Sequence, residues 1–215
     1  MALDENKLKS AVETLHNEKR KFSQSYDLLI ALKDLNLKDP KDQVEFFATV
    51  PHQLGKKRTV CALVGPEMID DASKLADLAL EQSQFEKMPK KDLRKIAAKY
   101  DYFLGQANIM PKIAGSFGRV LGPRGKMPNP KAGCIVPPKA PLAPLIERLQ
   151  KTVKVSAKKS PNVQVLIATQ GMSQEQVIDN VKSLYNQTVH NLPKEENNVK
   201  AVYLKVTMGK PIKLN

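Results

Sequence analysis

The sequence predicts an α/β protein of two domains, one assembled from both ends of the chain and the other inserted within it. Three observations carry this. In the middle of the chain a short, continuously apolar run, Thr59–Gly65 (TVCALVG), opens an alternation of strand and helix patterns. Such a run is typical of a strand in a parallel sheet buried on both faces. In the flanks the strand patterns alternate apolar and polar residues instead. Finally, neither 1–58 nor 153–215 buries enough surface to fold alone, because domains of about 60 residues are marginal. The economical solution is one discontinuous domain, 1–58 plus 153–215, with an α/β domain over 59–152 inserted into it. The insertion then joins its host through two passes of chain, where a hinge is expected.

The elements follow in order. Residues 3–18 read as an amphipathic helix with Leu8, Val12 and Leu15 on one face. Tyr26 to Lys33 is a strand with Tyr26, Leu28, Ile30 and Leu32 on one side, and after the break at Pro40, Gln43 to Val50 is a second. The basic run Lys56-Lys57-Arg58 marks the change of style. Beyond the strand at 59–65, helices are predicted at 69–82 and 91–100, the latter with Leu93, Ile96, Ala97 and Tyr100 at i, i+3, i+4, i+7. A short strand follows at Asp101–Leu104, then a helix marked by Ile109, Met110, Ile113 and Phe117. After a Gly/Pro-rich loop, Leu142, Leu145, Ile146 and Leu149 define the last helix of the insertion. Strands at about 151–156 and 162–168 precede a helix whose Ser173 and Gln176 have capping-box spacing. Val177, Val181, Leu184 and Thr188 continue its buried face, and Pro193 closes the connection. Val199 to Thr207 is the final strand, with Val202, Leu204 and Val206 inward and Tyr203, Lys205 and Thr207 on the other face.

Composition narrows the function. The chain has 215 residues with 41% hydrophobic and 27% charged, enough apolar material for a packed core. Aromatics are only 5%, so the cores should be aliphatic. With 35 Lys and Arg against 22 Asp and Glu, the net charge is +13, a field that concentrates polyanions, nucleic acid being the usual one. The excess is local. Tyr102 to Ile146 holds six bases (Lys112, Arg119, Arg124, Lys126, Lys131, Lys139) and no acid, and Asn197 to the end holds four (Lys200, Lys205, Lys210, Lys213), again without an acid. Two positive surfaces are implied. No apolar run approaches the roughly 20 residues that span a bilayer, so no membrane partner is expected. The polar start MALDENKLKS is unlike a signal peptide. Cys61 and Cys134 form no CxxC pair, which fits reduced thiols in the cytosol.

The densest motif is the stretch from Gly118 to Gly133, which contains LGPRGKMPNPKAG. It fails as a phosphate-binding P-loop, because Val120 stands where the first glycine belongs and Met127 where Ser or Thr would hold magnesium. No G-x-G-x-x-G occurs anywhere in the chain. What remains is a stiff basic loop: glycines permit positive φ, prolines fix the chain between them, and Arg124, Lys126 and Lys131 could meet phosphates from a preformed surface. A rigid turn that merely closes the α/β domain fits equally well. His16, His52 and His190 are scattered, and Cys61 sits mid-strand, so no catalytic or metal site and no cofactor is expected. The chain ends carry another constellation. Lys19-Arg20-Lys21-Phe22 precedes Ser23-Gln24-Ser25, and the final strand runs into Lys205-Val206-Thr207-Met208-Gly209-Lys210. Hydroxyls there could bond ribose 2′-OH groups, and Phe22 or Met208 could lie on a sugar or base. Taken alone, the same residues read at least as well as core side chains and turn formers.

Together these segments resemble the ribosomal protein L1 family over nearly the whole chain. Leu121 to Gly133 resembles the family's signature loop; Lys21-Phe22-Ser23-Gln24-Ser25-Tyr26-Asp27 and Thr207-Met208-Gly209 resemble its two RNA-contacting segments. Val50-Pro51-His52 with Gly55-Lys56 is similar to the family's second-strand end and hinge, and the Phe-Ser-Gln-Ser and GPRGKMPNP forms look archaeal. Ser25 stands where many members have Thr, and Lys210 separates the Thr-Met-Gly from Pro211. The resemblance implies a split, sandwich-like α/β (α+β) domain I and an inserted Rossmann-like, three-layer domain II. It implies a non-enzymatic constituent of the large ribosomal subunit that binds large-subunit rRNA in the mobile stalk, assists release of exit-site tRNA and represses translation of its own mRNA. The RNA contact would comprise Lys21, Phe22, Ser25, Asp27, Lys205, Thr207, Met208 and Gly209, with a secondary contact at Arg119, Arg124, Lys126 and Lys131. The rival reading is a nucleotide- or RNA-dependent α/β enzyme.

Overall fold

The computed structural model describes residues 3–17, 20–39, 42–138, 140–158 and 160–215. Lys19, Pro40 and Lys139, which entered the sequence reading, lie outside the described residues. The chain divides into two compact units, Met1–Lys56 with Lys151–Asn215, and Lys57–Gln150.

The first unit contains helix α1 (Glu5–His16) and strands β1 (Ser25–Leu32) and β2 (Val44–Thr49). After the insertion come β7 (Thr152–Ala157), β8 (Asn162–Thr169), helix α7 (Gln174–His190), β9 (Val199–Val206) and β10 (Ile212–Lys213). Four strands form a sheet in the order β10-β9-β1-β8, while β2 pairs with β7. β1 is antiparallel to both of its neighbours, so its first residues lie between the last residues of β8 and of β9. The alternation read in β1 is realised: Tyr26, Leu28, Ile30 and Leu32 are buried together with Val202, Leu204 and Val206 of β9. Leu8, Val12 and Leu15 of α1 and Val177, Val181 and Leu184 of α7 cover that face. Ser173 caps α7 with both halves of the capping box present, as its spacing predicts. Among the buried polar groups of this unit, Asn180 binds two elements together. Asn180 of α7 donates to the carbonyls of Ile167 and His52 and accepts the His52 N–H at 3.0 Å, stitching the segment after β2 to the helix. Four bonds from one buried amide are approached here, which is how a buried Asn avoids an uncompensated desolvation cost.

The second unit contains β3 (Val60–Val64), α2 (Ile69–Leu75), β4 (Leu78–Glu81), α3 (Gln82–Lys87), α4 (Lys90–Lys99), β5 (Tyr102–Gln106), α5 (Met110–Leu121), β6 (Ile135–Val136) and α6 (Ala143–Gln150). All its pairings are parallel, in the order β4-β3-β5-β6, and every residue of β3 is buried. Phe85, Phe103 and Phe117 pack with tilted rings among Cys61, Leu63, Leu93 and Ile113, the Phe117 centroid lying 5.8 Å from that of Phe85 and 6.2 Å from that of Phe103. The helix expected over 69–82 is broken: it stops at Leu75, and Leu78–Glu81 forms an edge strand beside β3. Leu-Ala-Leu carries no period that separates helix from strand, so tertiary pairing decides. Asp77 marks the break, its carboxylate accepting the Val60 N–H at 2.9 Å while bonded to Lys57, which holds its pKa below the usual range. β6 and β10, two residues each, are too short to leave any pattern in the sequence.

Candidate nucleic-acid interface

Because β1 runs against both neighbours, three chain segments meet at one end of the first unit's sheet: residues 20–24, 170–173 and 207–211. Their backbone polar groups cannot continue the ladder there and need other partners. Gln24 and Gln170 provide them. The Gln24 side chain is fully buried, and its Oε1 accepts the Met208 N–H at 3.0 Å. Gln170 donates its N–H to the Gln24 carbonyl at 2.9 Å, accepts the Gln24 N–H at its own Oε1, and gives its Nε2 proton to Leu15 O at the end of α1. Thr207 closes the other side. Its Oγ1 accepts the Ser25 N–H at 3.1 Å, and its N–H donates to Ser25 O at 3.0 Å. Gly209 N–H donates to Val206 O at 3.0 Å, making the tight turn after β9; Lys210-Pro211 then returns the chain so that Ile212 pairs with Leu204.

The effect of this clasp is to push two large apolar side chains outward. Phe22 is 51% and Met208 64% exposed. The alternative that made them core residues is therefore wrong: both lie beyond the strand ends, where the alternation that would bury them has ceased. Ser25 is half-buried, and Lys21 is exposed on the same approach. Asp27 and Lys205 stand directly opposite each other across β1 and β9, on the face away from the helices. Partial burial raises the Asp27 pKa, and the Lys205 charge acts against that rise. All eight residues of the first predicted group thus lie within or just outside the start of β1 and the end of β9. The sequence reading missed the buried Gln24–Gln170 pair. A Gln inside a polar run carries no mark of burial, so only the geometry finds it. It also missed that the Thr207 hydroxyl is engaged with Ser25 backbone, which makes it part of the frame as well as a surface group.

The second predicted group lies on the other unit. Arg119 sits in the last turn of α5, and Arg124 and Lys131 are exposed on the loop that follows. That loop is ordered by its own bonds. Gly125, at φ +64°, donates to Gly122 O, Asn129 accepts from Lys131 N–H through its side chain and from Cys134 N–H through its carbonyl. Lys126 differs from its neighbours: its ammonium donates to Ala97 O at 3.1 Å and Tyr100 O at 2.7 Å, capping the C-terminal end of α4. The loop is thus a turn ordered by its own bonds and by Lys126, with Arg124 and Lys131 left exposed on it. Among the described residues no cluster of His, Cys, Asp and Glu could hold a metal ion. Cys61 and Cys134 are buried and free, and burial pushes their pKa values up to about 12 and about 11.

The model of the ribosomal protein L1p/L10e family matches residues 13–210. The chain belongs to this family. Its relatives include proteins named large ribosomal subunit protein uL1: one from Thermococcus kodakarensis, 35% identical over all of this chain and 99% of its own length; one from Nanoarchaeum equitans, 36% identical over 92% of this chain and 93% of its own; and one from Methanocaldococcus jannaschii, 34% identical over 91% and 88%. These are archaeal proteins, in line with the archaeal look of the motifs. An L1-family chain belongs among ribosomal proteins and not among enzymes, which sets aside the nucleotide-dependent alternative. The failed phosphate motifs agree with that outcome.

Proposed function

We propose that this L1-family protein is a cytoplasmic constituent of the large ribosomal subunit that recognises large-subunit rRNA with the sheet end bearing Lys21, Phe22, Ser25, Asp27, Lys205, Thr207, Met208 and Gly209. One observation carries the reading: segments 182 or more residues apart in sequence are clasped together so that Phe22 and Met208 face solvent beside hydroxyls and cations. Exposed apolar side chains on a basic surface suit RNA, whose sugars and bases offer apolar faces while its phosphates take the cations. The domain made of 1–58 and 153–215 carries this recognition, and the inserted domain at 59–152 adds basic surface at Arg119, Arg124 and Lys131. In the stalk position the same protein assists release of exit-site tRNA. It represses its own translation when its mRNA presents the rRNA-like fold to the same surface.

Chemical footprinting of large-subunit rRNA, with Met208→Asp as the comparison, tests this. The wild-type chain should protect one stalk-sized region, and the variant, whose new carboxylate faces phosphates, should lose that protection while keeping the native circular dichroism spectrum. A folded Met208→Asp protein with undiminished protection would place recognition elsewhere. Own-mRNA binding is tested by competition: the mRNA leader and the rRNA fragment should displace each other, and simultaneous binding would refute the shared surface.

A further inference from the structure

α4 is charged against its own stability. It carries Lys90, Lys91, Arg94, Lys95 and Lys99 in ten residues, all exposed. At 100° per residue these five fall within one arc of roughly 180° that otherwise holds only Ala98, with Asp92 at its margin and Leu93 and Ala97 buried outside it. Lys90 and Lys91 stand in the first turn, where the helix dipole is unfavourable to cations, and Pro89 at the N-cap supplies no side-chain acceptor. Lys90 with Arg94, Lys91 with Lys95, and Lys95 with Lys99 are like-charged i, i+4 pairs, each of which opposes the helix by about as much as an opposite pair supports it. Asp92 is the one acid on the helix and pairs with Lys95 at 3.0 Å. Among the described residues, Lys90, Lys91 and Arg94 have no ion-pair or side-chain hydrogen-bond partner.

Two of the other long helices follow the opposite rule: α1 begins with Asp4 and Glu5 and ends in His16, and α7 begins with Glu175 and ends in His190, while α5 has no acid in its first turn but carries only Lys112 and Arg119. A solvated face chosen only for solubility has no reason to concentrate one sign or to place it at the wrong end of the dipole. Asp92 is the single internal compensation for these five cations, and a local rule so weakly compensated points to an external partner. The helix is about 15 Å long, and successive cations on its ridge recur about every 6 Å. Lys126 fastens the basic loop to the last turn of α4 through Ala97 O and Tyr100 O, so the ridge leads into the segment bearing Arg124.

We propose that the cationic face of α4 is a second RNA-binding surface, sequence-independent and directed at the phosphate backbone. This rests on the reading that the chain binds RNA, and it assigns to α4 a share of the affinity and none of the specificity. The partner supplies the counter-charge that the helix lacks.

The test is the triple variant Lys90→Gln/Lys91→Gln/Arg94→Gln, measured with a cognate rRNA fragment and with an unrelated RNA duplex across salt concentrations. Neutralising these residues breaks no ion pair and relieves repulsion, so the thermal midpoint should hold or rise. Three phosphate contacts at about 0.7–0.9 each predict that the slope of log K against log salt becomes shallower by about 2–3 for both RNAs alike. A companion Lys90→Arg/Lys91→Arg variant should keep the wild-type slope. Unchanged slopes in the folded triple variant overturn the proposal. So does loss of binding to a polyglutamate peptide with RNA slopes intact, which would give the face to an acidic protein. The two readings fail separately. If Met208→Asp abolishes preference for the cognate fragment while the triple variant changes nothing, the sheet-end interface stands and the α4 surface falls. If the wild-type chain binds neither RNA, both fall.

Discussion

Gln24→Met asks whether the buried clasp, which touches no solvent, sets the affinity of a surface it only positions. Methionine matches glutamine in length and volume but removes Oε1, the acceptor of the Met208 N–H at 3.0 Å. A net hydrogen bond is worth about 0.5–1.5 kcal/mol, and an unsatisfied buried partner raises the loss toward about 3 kcal/mol. Met208 itself is largely exposed, so its freed N–H can reach water, and the expected cost is about 1–2 kcal/mol. For a chain of this size that corresponds to a fall of roughly 2–8 °C in thermal midpoint. The same loss loosens the turn that holds Met208 and Gly209. RNA affinity should then drop by about tenfold for each 1.4 kcal/mol needed to restore the bound geometry. No cation has been removed, so the salt dependence should keep its wild-type slope. Thermal denaturation and binding titrations at several salt concentrations read both quantities. A Gln24→Met protein that melts at the wild-type temperature and binds with wild-type affinity would refute the clasp as a positioning device. A changed salt slope would refute the argument that it acts without touching phosphates.

Three further outcomes are expected. Cys61 and Cys134, with pKa values pushed up to about 12 and about 11, carry thiolate fractions on the order of one in a thousand or less at pH 8. A disulfide reagent should therefore modify neither in the native protein and both after denaturation; rapid labelling of the native chain would contradict their burial. Gly55→Ala should destabilise by roughly 1–3 kcal/mol, because the position has φ +74° and a Cβ there would lie 2.0 Å from Thr169 Oγ1; an unchanged melting curve would count against that geometry. Replacing residues 57–150 by a short Gly/Ser linker should leave a folded protein that still separates cognate from random RNA at reduced affinity. Val50 N–H already donates to Lys151 O at 2.9 Å, so the closing chain has little distance to span, and loop length costs only about 0.6 kcal/mol per doubling. A folded product unable to discriminate would move recognition into the insertion.

What the sequence discloses follows from which interactions have a period. β1, β9, α1 and α7 bury one face each, and their spacing shows it within one or two residues of the observed ends; α5 is marked by its buried face, which runs on to Leu121. β3 is apolar throughout because both of its faces are covered. β4 escapes because four residues beside an existing strand need no pattern of their own. The sheet-end site is legible only in its exposed members. Phe22 and Met208 look anomalous in polar turns, whereas Gln24, Gln170 and Asn180 look ordinary because their partners are backbone groups up to 184 positions away. Lys126 is the reverse case: its basic run suggests a surface, yet its ammonium closes a helix end.

The same geometry ties recognition to folding. Ser25 meets Thr207, and Gln24 meets Met208, only when the first and last strands of the chain pair. Contacts so distant in sequence form after loop-closure entropy has been met, so the site comes into being with the completed domain. No fragment of either end presents Phe22 and Met208 in their clasped arrangement. RNA that binds this arrangement and not the unfolded chain must in turn stabilise the pairing of the termini, by an amount that grows with the logarithm of RNA concentration over its dissociation constant. The inserted unit carries its own parallel sheet and its own core, so it can contribute charge without sharing that dependence. If the sheet end is the recognition surface and α4 a phosphate-binding one, specificity resides where the chain is most non-local, and part of the general attraction to phosphate where it is most local, on a single helix.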